Sequence, residues 1–152
     1  MVLNRLGRRG CPSINMRLVL GFFVFLAVMP LAAIAMPAVV DYVIDGDTFG
    51  ATVMVSDDIN VPVRVRISNI DAPELHGKCA SEIQMANDAR RRLEQILPCG
   101  AMVELSGIKD DKYLGRIDAF VATDMINDVG AVMVSEHLAR PYDGGRRTSW
   151  GD

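Results

Sequence analysis

Between Val61 and Ser68 the chain alternates without a break, with Val61, Val63, Val65 and Ile67 interleaved with Pro62, Arg64, Arg66 and Ser68. A period of two sends successive side chains to opposite faces. The segment is therefore a strand with an aliphatic face for a core and both guanidiniums on the other side, Arg66 pointing away from the core. The runs before it, Val39 to Ile44 and Thr48 to Val55, also have strand character. The breaks between the three, Asp45-Gly46-Asp47 and Ser56-Asp57-Asp58-Ile59-Asn60, are turn chemistry. Linked strands with an apolar face each must close on one another or on a helix.

The downstream pattern supplies both. A polar loop, Asn69 to Gly77, leads to a helix opening at Ser81 with Gln84 in capping-box position, and its apolar stripe is Ile83, Ala86, Leu93, Ile96 and Leu97. Pro98-Cys99-Gly100 ends it. Met102 to Ile108 and Ile117 to Ala122 read as two more strands joined by the loop Lys109 to Gly115, and a short helix follows from Asp128 to Glu136. This order predicts an α+β, mostly β fold: a five-stranded OB-type Greek-key barrel, with a long helix after strand 3 and a short helix after strand 5. Half of the residues are apolar but only 6% are aromatic, so the core must be aliphatic rather than built on stacked rings.

The first forty residues follow another pattern. Arg5, Arg8, Arg9 and Arg17 precede or open the apolar run Leu18 to Met29, no acid occurs before Asp41, and Pro30 is followed by Ala33-Ile34-Ala35. This is the layout of a secretory signal peptide, residues 1–35, cleaved after Ala35, with Met16 as an alternative start and 36–152 as the mature periplasmic or secreted domain. The alternative is an uncleaved segment anchoring the domain to the inner membrane, since a span needs about 20 apolar residues; Pro30 and Pro37 favour cleavage. Cleavage removes four arginines and no acid, leaving 12 basic against 19 acidic residues, a formal charge of −7. So acidic a domain is excluded from general attraction to polyanions. Contact with nucleic acid would have to come from a local arginine cluster and a metal.

Export permits a disulfide, but Cys79 and Cys99 flank the long helix. At about 1.5 Å rise per residue, a helix over 81–97 sets their sulfurs about 25 Å apart. Free thiols, or pairing between chains, are expected, with Cys11 in the removed segment. No cysteine pair has zinc-ligand spacing, and the two histidines do not complete such a site.

Three segments gather the polar groups that phosphodiester hydrolysis needs: Asp45-Gly46-Asp47-Thr48, Arg66 through Glu74, and Asp111-Lys112-Tyr113-Leu114-Gly115-Arg116. Taken singly they read as a hairpin turn, a loop entering a helix and a solvated connection. Their joint occurrence in this order is the signal. Together with Val43-Ile44, Arg64-Val65-Arg66-Ile67, Ile70-Asp71-Ala72-Pro73-Glu74 and Leu138-Ala139-Arg140-Pro141-Tyr142, they make the chain resemble the staphylococcal nuclease (thermonuclease) family from about Val39 to Tyr142. The resemblance implies a calcium ion (Ca2+) held by the carboxylates of Asp47 and Asp71 and the backbone carbonyl of Ala72. It further implies Arg66 and Arg116 on the scissile phosphate, and Glu74 as general base or as the residue positioning the attacking water. Residue chemistry agrees, because a hard cation prefers oxygen ligands and guanidinium forks match phosphate oxygens as lysine does not. Tyr113 and Tyr142 are candidates for stacking on a base, with packing at a strand end as the equal alternative.

The activity implied is calcium-dependent hydrolysis of DNA or RNA by a monomer. The alternative is an inactive OB-type module that binds nucleic acid or a protein ligand. Against the family pattern, Leu114 adds one residue before Arg116, which a bulged loop would absorb. His137 stands where the family favours Gly, at a left-handed position, and the family's extra C-terminal helix is not expected. Arg90-Arg91-Arg92 reads as a solvated helix face diluted by Glu82, Asp88 and Glu94, His76 as a loop residue, and Arg146 and Arg147 as part of a flexible solvated tail beside Gly144-Gly145.

Overall fold

A computed structural model describes residues 35–151. Its strands, in chain order, are β1 (Met36–Val43), β2 (Thr48–Ser56), β3 (Ile59–Ile67), β4 (Ile70–Asp71), β5 (Met102–Asp110), β6 (Arg116–Ala122) and β7 (Arg140–Pro141); its helices are α1 (Ala80–Ile96) and α2 (Val129–Ser135). Five of the strands form a closed barrel in the order β1-β2-β3-β6-β5, and β4 and β7 make a separate two-stranded ladder. The fold is the expected mostly-β α+β barrel of OB type; α1 follows β3 and the short β4, and α2 follows β6. The leader expected at 1–35 lies, but for Ala35, outside the described residues, as does Cys11. Among the described residues no helix is long and apolar enough to cross a membrane.

The barrel closes through one parallel pairing, β3 on β6, with Arg64 opposite Arg116 and Arg66 opposite Asp118; its other pairings are antiparallel. That register matters for chemistry, because it carries two arginine-bearing segments 50 residues apart in sequence to one stretch of the wall. Strand β3 changes character along its length: Ile59 and Val61 are exposed, whereas Val65 and Ile67 are buried. Its first half extends beyond the barrel and its second half builds it.

The core is aliphatic apart from Phe49. Val40, Val65, Ile67, Val103, Leu105 and Val121 fill the barrel, Leu93 and Leu97 of α1 pack with them, and Val129 and Met133 of α2 complete the cluster. Truncating such a residue, Leu93 to Ala for example, costs about 2–5 kcal/mol. The face of α1 differs from expectation. Ala86, Leu93 and Leu97 are buried as expected, but Ala89 is buried in place of Ile83, which is 38% exposed. The capping box is also absent. The helix starts at Ala80 with Cys79 as N-cap and no side-chain cap, Gln84 spends its amide on Asp88, and Glu82 instead accepts the Lys78 N–H at 3.1 Å. Helix α2 begins as expected at Asp128, whose carboxylate accepts the Ala131 N–H at 2.9 Å. Cys79 and Cys99 are free thiols at opposite ends of α1. His137 takes the left-handed conformation foreseen for it, φ 60.

Candidate active site

Asp45-Gly46-Asp47 is not a turn that requires left-handed glycine, since the φ of Gly46 is not positive. The glycine is required by space: a Cβ there would stand 2.7 Å from the Cβ of Ala89 and 2.8 Å from that of Ala72. The backbone of the β1–β2 turn is thus wedged between α1 and the loop after β3. This fixes Asp47, whose Oδ2 accepts the Ala72 N–H at 3.2 Å, whose Oδ1 accepts the Thr48 hydroxyl at 2.7 Å and whose carbonyl accepts the Ile67 N–H at 2.8 Å.

Arg66 lies across from Thr48 on β3. Its side chain leaves the core as the alternation requires, yet the residue is only 7% exposed, because the loop after β3 folds over it. Its Nη2 donates to the Ile70 carbonyl at 2.9 Å and to Asp47 Oδ2 at 3.3 Å, and its guanidinium carbon stands 5.6 Å from the centre of the Tyr142 ring. Asp71 is held by the β4–β7 ladder, opposite Arg140. Two paired residues a side carry no readable periodicity, so this ladder was not foreseeable from pattern.

Arg116 begins β6. Its Nε donates to Asp111 Oδ2 at 2.5 Å and its guanidinium covers the Tyr113 ring, 4.4 Å from the centre. The additional residue Leu114 is 98% exposed at the tip of the turn. The turn extrudes it and closes beneath it through the Arg116 N–H to the Tyr113 carbonyl, so Arg116 keeps its register on β3.

Asp47, Arg66, Glu74, Arg116, Tyr113 and Tyr142 all line one polar cleft of about 660 Å3, with Asp45, Asp111, Asp118 and Arg147. Asp71 and Ala72 are buried, 4% exposed each, and lie behind the cleft wall rather than on it. A second, apolar groove of about 720 Å3 runs past Ile96, Met102 and Met125 and shares no residue with the first.

The cleft is crowded with acid. Burial, then the charge of Asp47, pushes Asp45 up to about 6. Burial acts to raise Asp111 as well, but the hydrogen bond and charge of Arg116 outweigh it and leave Asp111 below its ordinary value. Asp118 Oδ1 is buried without a partner.

Arg147 and Trp150 were not anticipated as site residues. The expected solvated tail is instead folded over the site: Arg147 Nε stands 2.8 Å from Asp71 Oδ1, its Nη1 pairs with Glu74, and the Trp150 indole N–H donates to Asp71 Oδ2 at 3.1 Å. Burial works to lower Arg147, and the charges of Asp71, Asp47 and Glu74 override it, keeping the guanidinium above its ordinary value. The available signal was the chain's only tryptophan, placed five residues after Gly144-Gly145; so large an apolar surface is seldom left to water.

Among the described residues no three His, Cys, Asp or Glu side chains group around a metal position. Two carboxylates and a backbone carbonyl remain. Although Arg147 Nε is close to Asp71 Oδ1, no N–H is aimed at that buried oxygen, which has an ionic neighbour but no hydrogen-bond donor. A buried anionic oxygen without a donor is the kind of ligand a hard divalent cation takes. No protein-family model matches the sequence, and no curated protein matches it.

Proposed function

We propose that this chain is an exported nuclease of the staphylococcal nuclease type that hydrolyses phosphodiester bonds of DNA or RNA with calcium. The observation that carries the reading is the gathering of Arg66, Arg116, Asp47 and Glu74 on one polar cleft from three separate segments. A binder would need the arginines. It would have no use for Glu74, a carboxylate that pairs with neither arginine and repels the phosphate.

In this mechanism Arg66 and Arg116 offer N–H donors to the phosphate oxygens and stabilise the charge that grows there as water adds to phosphorus and the ester P–O bond breaks, its oxygen leaving as a hydroxyl after taking a proton from solvent. Each is aimed in advance, Arg66 by the Ile70 carbonyl and Asp47, Arg116 by Asp111 and the Tyr113 ring. Removing one such donor costs about 3 kcal/mol of barrier. Glu74 has a side chain 55% exposed at the cleft; it accepts the proton of the attacking water, for which it must come within about 3 Å. Asp47, Asp71 and the Ala72 carbonyl would hold the calcium ion, which supplies Lewis-acid stabilisation of the phosphate when bound. Tyr113, half exposed beside Arg116, suits stacking on a neighbouring base.

The test is cleavage of single-stranded DNA by the purified full chain with calcium, with chelator, and with Glu74→Gln. Cleavage should stop with chelator and fall about 10²–10⁴-fold in the variant. Cleavage indifferent to chelator, or equal in the variant, defeats the mechanism. Tight binding with no cleavage under any condition favours the non-cleaving OB-type module.

A further inference from the structure

Asp71 is the most deeply placed acid of the site, and both of its oxygens are engaged by the C-terminal segment rather than by the cleft. Arg147 spans Asp71 and Glu74 with a single guanidinium. It therefore touches at once the carboxylate assigned to the metal and the carboxylate assigned to the water.

The segment has contacts that hold it in this place. Gly144 and Gly145, at φ 102 and 94, turn the chain back through conformations that glycine takes most readily. The Tyr142 hydroxyl fastens the turn by donating to the Gly145 carbonyl at 2.7 Å. Arg140 Nη1 donates to the Thr148 hydroxyl at 3.0 Å and to the Ser149 carbonyl at 3.1 Å, and its guanidinium lies over the Trp150 ring, 3.7 Å from the centre. Arg140 also pairs through its backbone with Asp71, so the ladder that sets the acid sets the clamp.

Electrostatics explains why a cation belongs here. Arg147 feels the charges of Asp71, Asp47 and Glu74 together, and the first two are buried away from water, more negative charge than Arg66 alone neutralises. A divalent ion drawn to Asp71 Oδ1 would meet the Arg147 guanidinium 2.8 Å from the same oxygen, and the two positive charges repel. The guanidinium is a poor occupant, since no N–H is directed at that oxygen, and a small divalent ion satisfies it better.

We propose that Arg147 is the resident counter-ion of this site: the strap Gly144–Trp150 closes on Asp71 and Glu74 when no divalent cation is bound, and the cation must displace Arg147 to enter. Loading the ion and releasing Glu74 for catalysis are then one event. The inference rests on the divalent-site part of the proposed function and not on cleavage. If the strap is closed in nine molecules of ten, it weakens apparent ion affinity about tenfold.

The experiment is a calcium chloride titration of the full chain, followed by calorimetry and by the emission of Trp150, the chain's only tryptophan. Emission should shift as calcium binds, because the indole leaves Asp71. Arg147→Gln and a chain ending at Asp143, each shown folded by circular dichroism, should bind calcium about tenfold more tightly than wild type, with Arg147→Lys between. Equal or weaker binding in both Arg147→Gln and the shortened chain overturns the competition while leaving the metal site standing. No binding heat in any of the proteins overturns the metal site itself, and the strap proposal with it.

Discussion

Two regions of this molecule bring arginines and carboxylates together, under opposite conditions. On the outer face of α1, Arg90 pairs with Glu94 at 3.0 Å, Arg91 pairs with Asp88, and Arg92 reaches Glu136 at the end of α2 through two bonds of 2.6 and 2.7 Å. Each arginine there has its own acid, and water reaches both partners; the Arg90–Glu94 side chains are 43% and 44% exposed. Around the cleft, Asp47 and Arg66 are 5% and 7% exposed and Asp71, behind its wall, 4%; the lining carries six acids against four basic residues, so the pairs Arg66–Asp47 and Arg116–Asp111 leave acids over. The same residue types thus serve solubility where they are wet and matched, and hold unrelieved field where they are dry and mismatched. Such unrelieved field is what a phosphate and a divalent ion can use.

The sharpest way to break this comparison is Arg66→Ala. It leaves Asp47 buried without its charge partner and the Ile70 carbonyl without a donor, so urea unfolding should show a loss of about 3–5 kcal/mol. A loss below about 1 kcal/mol, the range of an exposed pair, would make the cleft energetically equivalent to the helix face.

A smaller effect follows from Asp45, which burial and Asp47 raise from 3.8 to about 6. The folded state binds this proton more tightly than the unfolded state. Its contribution to stability therefore grows as pH falls through about 6 and is complete below 3.8; at higher pH the buried anion is a cost. Asp45→Asn should be more stable than wild type at pH 8 by about 1–2 kcal/mol, a figure reduced for partial solvation, and the difference should vanish by pH 4. Asp111, lowered through Arg116, acts in the other sense, with stability present at neutral pH and lost on acidification below its ordinary value. Thermal melting of both proteins across this range measures the difference. A gap that widens as pH falls contradicts the sign.

Most of the barrel was legible because its signals are local: the alternation from Val61 to Ile67, the turn residues between strands, the cap at Asp128. The cleft was legible as a set of residue types, but not in its depth. Arg66 faces away from the core and is buried all the same, because the loop and ladder that cover it come from Ile70–Asp71 and Arg140–Pro141, too short to have a period. Gly46 looked like a turn residue and is a spacer, a fact set by Ala89 and Ala72 far along the chain. Arg147 looked like solvated tail because Gly144-Gly145 suggests freedom, whereas the same glycines permit the reversal that returns it to Asp71. What pattern cannot give is a contact whose two halves each look ordinary.

The smallest expected effect tests the other half of the comparison. Arg91 and Asp88 have side chains 65% and 42% exposed, so what their attraction gains, water and side-chain freedom largely cancel. Arg91→Ala should change unfolding free energy by no more than about 0.5 kcal/mol and should leave cleavage rate and calcium affinity unchanged. Raising salt should shrink even this small effect, because added ions screen an exposed pair further. If this variant instead lowered affinity for single-stranded DNA, the arginines of α1 would belong to a nucleic-acid track leading to the cleft. Matching with acids would then no longer separate the two regions, and solvent exposure alone would have to carry the distinction.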